Sequence, residues 1–129
     1  MKRTINAYRH SQMFTSTPGD LLIALFDGML RFCNEAKVAI ENKNPAAKGT
    51  AINRAYDILT ELSATLDPKH DPKLCAELTT IYNYWFEKLQ EGSMFMRKEP
   101  VEEVIRHVGD MRTTWRQAIA LARKEGVRA

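Results

Sequence analysis

Leu22, Leu25, Met29, Phe32, Ala36 and Ile40 step along the chain by threes and fours, and Ile52, Ala55, Leu59, Leu62 and Leu66 do the same. A third series runs Leu74, Leu78, Ile81, Trp85 and Leu89; a fourth runs Val101, Val104, Val108, Met111, Trp115, Ala118 and Ala122. Such steps return to one face of a helix with 3.6 residues per turn, so each series predicts one apolar seam on one helix. The prolines supply matching punctuation. Pro18, Pro45, Pro72 and Pro100 recur at near-equal intervals, directly after Thr17, Asn44, Asp71 and Glu99. Proline suits the first helical turn because its missing N–H has no partner there, while Thr, Asn and Asp side chains accept a bond from the next turn. Asp20 adds a carboxylate near the positive end of the first helix. Glu99 is the poorest cap of the four and fixes its boundary least.

The predicted helices span about 18–41, 45–66, 72–96 and 100–125, with Gly126 ending the last one after Arg123 and Lys124. Each would be roughly 33 to 39 Å long at the α-helical rise. Connections as short as 41–45, 67–71 and 96–100 favour antiparallel neighbours. The expected fold is all-α: an antiparallel four-helix bundle forming a single domain over 1–129, preceded by a short N-terminal arm or helix at about 1–16. The four segments share no residue pattern, so no internal repeat is assigned.

Two groups of apolar residues exceed what four seams need. In "INAYRHSQMFTSTP", residues 5 to 18, Met13 and Phe14 read as a hydrophobic staple before the first helix, and Ile5 and Tyr8 have no periodic role. Leu21, Phe26, Leu30, Tyr56, Ile58, Tyr82, Tyr84, Phe86, Ile105 and Ile119 widen the helix stripes. A wide stripe is either buried within the bundle or left outside as a partner site.

Composition narrows the class. A chain of 129 residues with 44% hydrophobic and 27% charged residues suits one domain with one core. No apolar run approaches the roughly 18 residues of a membrane span, which predicts no membrane insertion. "MKR" is followed by "TINAYRHSQ" and not by an apolar segment, so a cytoplasmic location is expected. Cys33 and Cys75 lack CxxC spacing and read as reduced thiols packed as small hydrophobes. The net charge of +3 comes from the last quarter: residues 97 to 129 hold 8 Lys+Arg against 5 Asp+Glu, whereas residues 1 to 96 hold 11 of each. There Arg106, Arg112, Arg116, Arg123 and Lys124 alternate with Glu102, Glu103, Asp110 and Glu125, as on a solvated face, so nucleic acid is a weak reading.

The ingredients of catalysis do not converge. No Glu is followed by His three residues on, as a di-iron bundle would need, and neither HExxH nor a P-loop is present. His10, His70 and His107 are scattered; His70 with Asp67 and Asp71 reads as a solvated turn before it reads as a metal site. Glu102 and Glu103 are adjacent and project in different directions. The expectation is a binding protein and not an enzyme, with no catalytic residue, no metal and no cofactor.

Particular residues add a resemblance. "AYRHSQMFTSTPGDLLIALFDG", then "NRAYDILTELSATLD", "IYNYWFEKL", "EEV" and "MRTTWRQAI" resemble, in order and spacing, the FliS-type flagellar export chaperones over about residues 5 to 120. Members of that family show a Tyr, a Thr followed by Ser/Thr-Pro, an "L-Y/F-D-G" helical turn, a later "LYDYM" and a closing Trp. The resemblance implies a helical bundle that binds the disordered C-terminal segment of flagellin in the cytosol. It also implies that the protein prevents premature polymerisation and, when loaded, meets the flagellar type III export gate. It carries flagellin-binding positions onto Ile5, Tyr8, Leu22, Leu25, Phe26, Asp27, Tyr82, Tyr84 and Trp85, with Thr15, Thr17 and Pro18 as structural lead-in. For Asp27, a bond to a neighbouring helix and plain hydration both stay open. Departures from the family pattern fall at Asn83, where the family has Asp, at Trp85, where it has Met, and at Gly92, where it usually has Asn. The apolar "MFM" after Gly92 either lengthens the third helix or packs over the fourth. The alternatives are a bundle of the same descent serving a non-flagellin partner and a weak nucleic-acid-binding bundle.

Overall fold

Thr17 closes a capping box: its Oγ1 accepts from the Asp20 N–H at 3.2 Å while its own N–H donates to the Asp20 carboxylate. In the computed structural model, which describes residues 17–127 and 129, this box starts helix α1, Pro18–Glu41. Asn44 caps α2, Pro45–Ala64, and Asp71 caps α3, Pro72–Phe95, each by accepting a backbone N–H from the first turn. The fourth helix departs from this grammar. Helix α4 spans Lys98–Lys124, Arg97 precedes it with no side-chain cap, and Pro100 sits inside the first turn. Proline is tolerated there because first-turn N–H groups have no intrahelical acceptor. The start therefore lies two residues before the proline, and Glu99 is not its cap. Helix α2 ends at Ala64, short of residue 66, while Leu66 still turns inward against the core.

Cross-helix pairs fix the directions. Lys98 meets Glu41, Lys37 meets Glu102, and Arg123 meets Asp20, so α1 and α4 run antiparallel. Tyr56 against Phe86 and Lys48 against Ser93 set α2 antiparallel to α3, and Gly92 against Val101 with Tyr84 against Glu103 does so for α3 and α4. The all-helical four-helix bundle is thus as expected among the described residues. Met13, Phe14 and the arm at 1–16 lie outside them.

Helix α1 is the central element, packed most extensively on α2 and α4. Leu25, Phe26, Met29 and Phe32 from α1 meet Ile52, Ile58 and Leu62 from α2, Trp85 and Leu89 from α3, and Val101, Val104 and Val108 from α4. The α4 seam passes through Ile119, which is buried, and not through Ala118, which is exposed. Cys33 is buried in this core, where the cost of ionising without water pushes its thiol up to about 12.

Gly92 has a steric reason. A Cβ there would lie 2.7 Å from the Val101 Cγ2 and 2.8 Å from the Arg97 carbonyl oxygen. The Arg97 N–H donates to the Gly92 carbonyl at 3.0 Å, and Met96 adopts the left-handed conformation at φ 51°. The α3–α4 corner therefore folds onto Gly92. The "MFM" run lengthens α3 through Phe95; Met94 and Phe95 face solvent, and Met96 packs on the core. No described helix is long and apolar enough to cross a membrane.

Candidate functional site

Because α2 stops at Ala64, its neighbours lose their helical partner at one end of the bundle. Residues 65 to 71 satisfy their polar groups locally: the Thr65 hydroxyl donates to the Leu62 carbonyl at 2.6 Å, and the Asp67 carboxylate accepts the Lys69 N–H at 2.9 Å. What they leave behind is an apolar groove of about 330 Å³. Leu21 and Leu22 of α1, Leu74, Leu78 and Tyr82 of α3, and Trp115 of α4 form its walls, with Asp67 and His70 at the rim. His70 Nε2 stands 3.5 Å from Asp67 in this exposed turn, while Asp71 is engaged as the α3 cap. Groups of His, Cys, Asp and Glu able to hold a metal ion are absent among the described residues.

Tyr82 connects this groove to a second cleft of about 260 Å³ between α2 and α3, lined by Tyr56, Leu59, Asn83 and Phe86. The Tyr56 and Phe86 rings lie 4.6 Å apart, and Phe86 is exposed. Burial pushes the Tyr82 phenol up to about 12, since the charged form would lose its hydration. The groove can therefore hold apolar side chains, and its lining includes one phenol, that of Tyr82.

The structure divides the nine candidate positions. Leu22 and Tyr82 come together in the groove. Leu25, Phe26 and Trp85 do not: they are fully buried, with Phe26 edge-on to Trp85 at 6.5 Å and Tyr82 at 5.5 Å from Trp85. They form the core beneath the groove and offer no surface to a partner. The Trp85 indole N–H is buried without an acceptor among the described residues. Asp27 bonds a neighbouring helix, accepting from the Arg112 guanidinium on α4. Tyr84 lies apart on the α3–α4 face. Its hydroxyl donates to Glu103, its ring stacks on His107 at 6.0 Å, and the Lys88 ammonium lies 5.6 Å from its centroid. The bond to Glu103 raises the Tyr84 phenol and lowers the Glu103 carboxyl. Ile5 and Tyr8 lie outside the described residues.

Sequence reasoning did not single out Leu21, Leu74, Leu78 and Trp115 as groove residues. Leu74 opens the α3 seam in the sequence, and the structure leaves it 37% exposed at the groove.

The chain's sequence is similar to known proteins. A sequence model of the family described as "Flagellar protein FliS" matches residues 1–122. The flagellar secretion chaperone FliS of Bacillus subtilis (strain 168) is 33% identical over 119 residues, covering 92% of this chain and 88% of that relative. The protein of the same name from Campylobacter jejuni is 30% identical over 112 residues, covering 87% and 88%. That from Salmonella typhimurium is 26% identical over 108 residues, covering 83% and 80%. With a family match over nearly its full length and a bundle of the expected architecture, this chain belongs to the FliS family.

Proposed function

We propose that this protein is a cytosolic chaperone that binds the disordered C-terminal segment of flagellin, prevents its premature polymerisation and assists its delivery to the flagellar type III export apparatus. Family membership supplies the class. The observation that carries the reading is the apolar groove of Leu21, Leu22, Leu74, Leu78, Tyr82 and Trp115, open at one end of the bundle.

A segment able to form an amphipathic helix would fold as it docks, laying its apolar side chains in the groove. Such coupled folding buries on the order of 1,000 to 3,000 Å² and costs roughly 2 to 5 kcal/mol in ordering, so affinity stays moderate and the guest can be surrendered at export. Covering the segment removes the surface that would otherwise seed a filament. Leu22 and Tyr82 are assigned direct contact, and Ile5 and Tyr8 an arm that adds to it. Asp27 and Tyr84 are assigned flanking contacts, while Leu25, Phe26 and Trp85 act through the floor they support. One domain over 1–129 does this without catalysis. The basic residues of α4 do not favour a nucleic-acid reading, because Arg112 and Arg123 are paired with Asp27 and Asp20.

Calorimetric titration with the C-terminal segment of the host's flagellin tests the reading. Saturable heat and co-elution are expected; the absence of both at tens of micromolar overturns it.

A further inference from the structure

The proximal half of α4 is packed more deeply than the distal half. Val101, Val104 and Val108 are fully buried. Beyond Gly109, Ile119 alone is buried among the described residues of the helix, and Met111 and Trp115 are half-buried. Among the described residues, a space lies on each flank of this distal half. On one side Trp115 borders the apolar groove. On the other, a cleft of about 410 Å³ separates α4 from α1, lined among others by Asp20, Ile23, Asp27, Arg112, Ile119 and Arg123.

Across that second cleft Ile119 packs closely on Gly19, where a Cβ would lie 2.9 Å from it, and the remaining bonds are polar and lie at the surface. Arg112 pairs with Asp27. The Arg123 guanidinium donates at 2.8 Å to both the Thr17 hydroxyl and the Asp20 carboxylate, and at 3.0 Å to the Ala129 carbonyl. Gly109 stands at the junction of the two halves, and a methyl group there would meet nothing within 4 Å. Packing therefore does not call for glycine at this position, while glycine inside a helix loosens it.

We propose that the part of α4 beyond Gly109 is a hinged flap over the groove, latched to α1 by Arg112 and Arg123, whose opening widens the groove for a guest helix. The flap regulates the same groove assigned to flagellin and rests on that reading. Swinging outward would join the groove to the cleft beyond it and uncover Ile23, Met111, Trp115 and Ile119 as one apolar surface. Exposed ion pairs suit such a latch, because each contributes little and salt screens it. A closed flap lowers apparent affinity by the fraction of time that the groove is narrow, so weakening the latch tightens binding.

Hydrogen exchange on the full chain, read alongside calorimetry with the C-terminal flagellin segment, tests this. In the wild type, amides of 110–124 should exchange at least tenfold faster than those of 101–108. The Arg112→Gln/Arg123→Gln double variant should speed exchange in 110–124 alone and bind the segment at least threefold more tightly; Gly109→Ala should slow that exchange and weaken binding. Equal protection of the two halves, or binding indifferent to all these changes, overturns the flap. Loss of binding in every protein, wild type included, with the exchange pattern as expected, overturns the flagellin reading and leaves the hinge standing.

Discussion

Arg123, in the last turn of α4, reaches the Asp20 carboxylate in the first turn of α1 at 2.8 Å, joining residues 103 positions apart in the chain. The same carboxylate completes the capping box with Thr17, so one side chain both starts a helix and ties down the end of another. The bond to Arg123, then that to the Thr17 N–H, holds the Asp20 carboxyl below its ordinary 3.8.

A pH dependence follows with a definite sign. A carboxylate whose pKa is depressed by folding stabilises the fold above its unfolded value and loses that contribution as pH falls through the folded one. Asp20→Asn should therefore lower the melting temperature at pH 7, and the gap to wild type should close as pH is taken beneath 3.8. Parallel thermal melts at pH 7 and in acid measure this; an undiminished gap in acid assigns the effect to something other than the carboxylate.

Tyr82 predicts the alkaline limit. Its phenol ionises at about 10 when unfolded and about 12 when folded, so its contribution is complete below pH 10 and disappears as pH rises from 10 toward 12. Tyr82→Phe, which cannot ionise, should move the midpoint of alkaline unfolding upward and delete the latest phase of tyrosinate absorbance. If that phase survives the substitution, another tyrosine is the buried one.

Gly92→Ala should destabilise the bundle. The added methyl would be forced against the Val101 side chain and, less forgivingly, the Arg97 backbone oxygen. Overpacking of this kind costs typically about 1 to 3 kcal/mol. Urea unfolding with an unchanged m-value and a lower midpoint is the expected result, and an unmoved midpoint would mean that the corner relaxes freely.

Core and contact roles separate by a pair of variants. Phe26→Ala should cost about 3 to 5 kcal/mol of stability, because it hollows the fully buried centre. Leu74→Glu, on the exposed groove wall, should leave the melting temperature within a few degrees and weaken flagellin-segment binding at least tenfold. Met94→Ser, at the opposite end of α3 and 67% exposed, should change neither. A Leu74→Glu protein that binds normally would move the contact away from this groove.

How far the sequence could be read depended on what each signal encodes. Thr17, Asn44 and Asp71 marked their helices correctly because a cap is a local bond between a side chain and the next turn, complete within four residues. The start of α4 was misplaced because Arg97 makes no such bond; the helix begins where the corner built on Gly92 and Met96 releases the chain. Leu66 kept its place in the seam although the helix had already ended, since a periodic apolar residue can face inward from a loop. Periodicity puts Leu25 and Trp85 in the core seams, where the structure buries them; their contact roles, like that of Phe26, come from the family resemblance, which carries over a position without saying whether its side chain is exposed. The groove itself is written in no motif. It arises from the unequal ends of three helices, which only the assembled bundle displays.

That inequality ties the groove to one end of the bundle, where Leu78 and Tyr82 belong to both the groove wall and the edge of the core. Helix α2 has 20 residues against 24 in α1 and in α3, a shortfall of about 6 Å at the helical rise. The groove opens where α2 stops, with Leu66 and Asp67 of the following connection in its lining. Lengthening or shortening the connection after Ala64 would resize the recess while leaving Met29, Phe32, Leu62 and Val104 untouched. A lineage of such bundles could follow a changing guest by moving a single chain terminus of one helix.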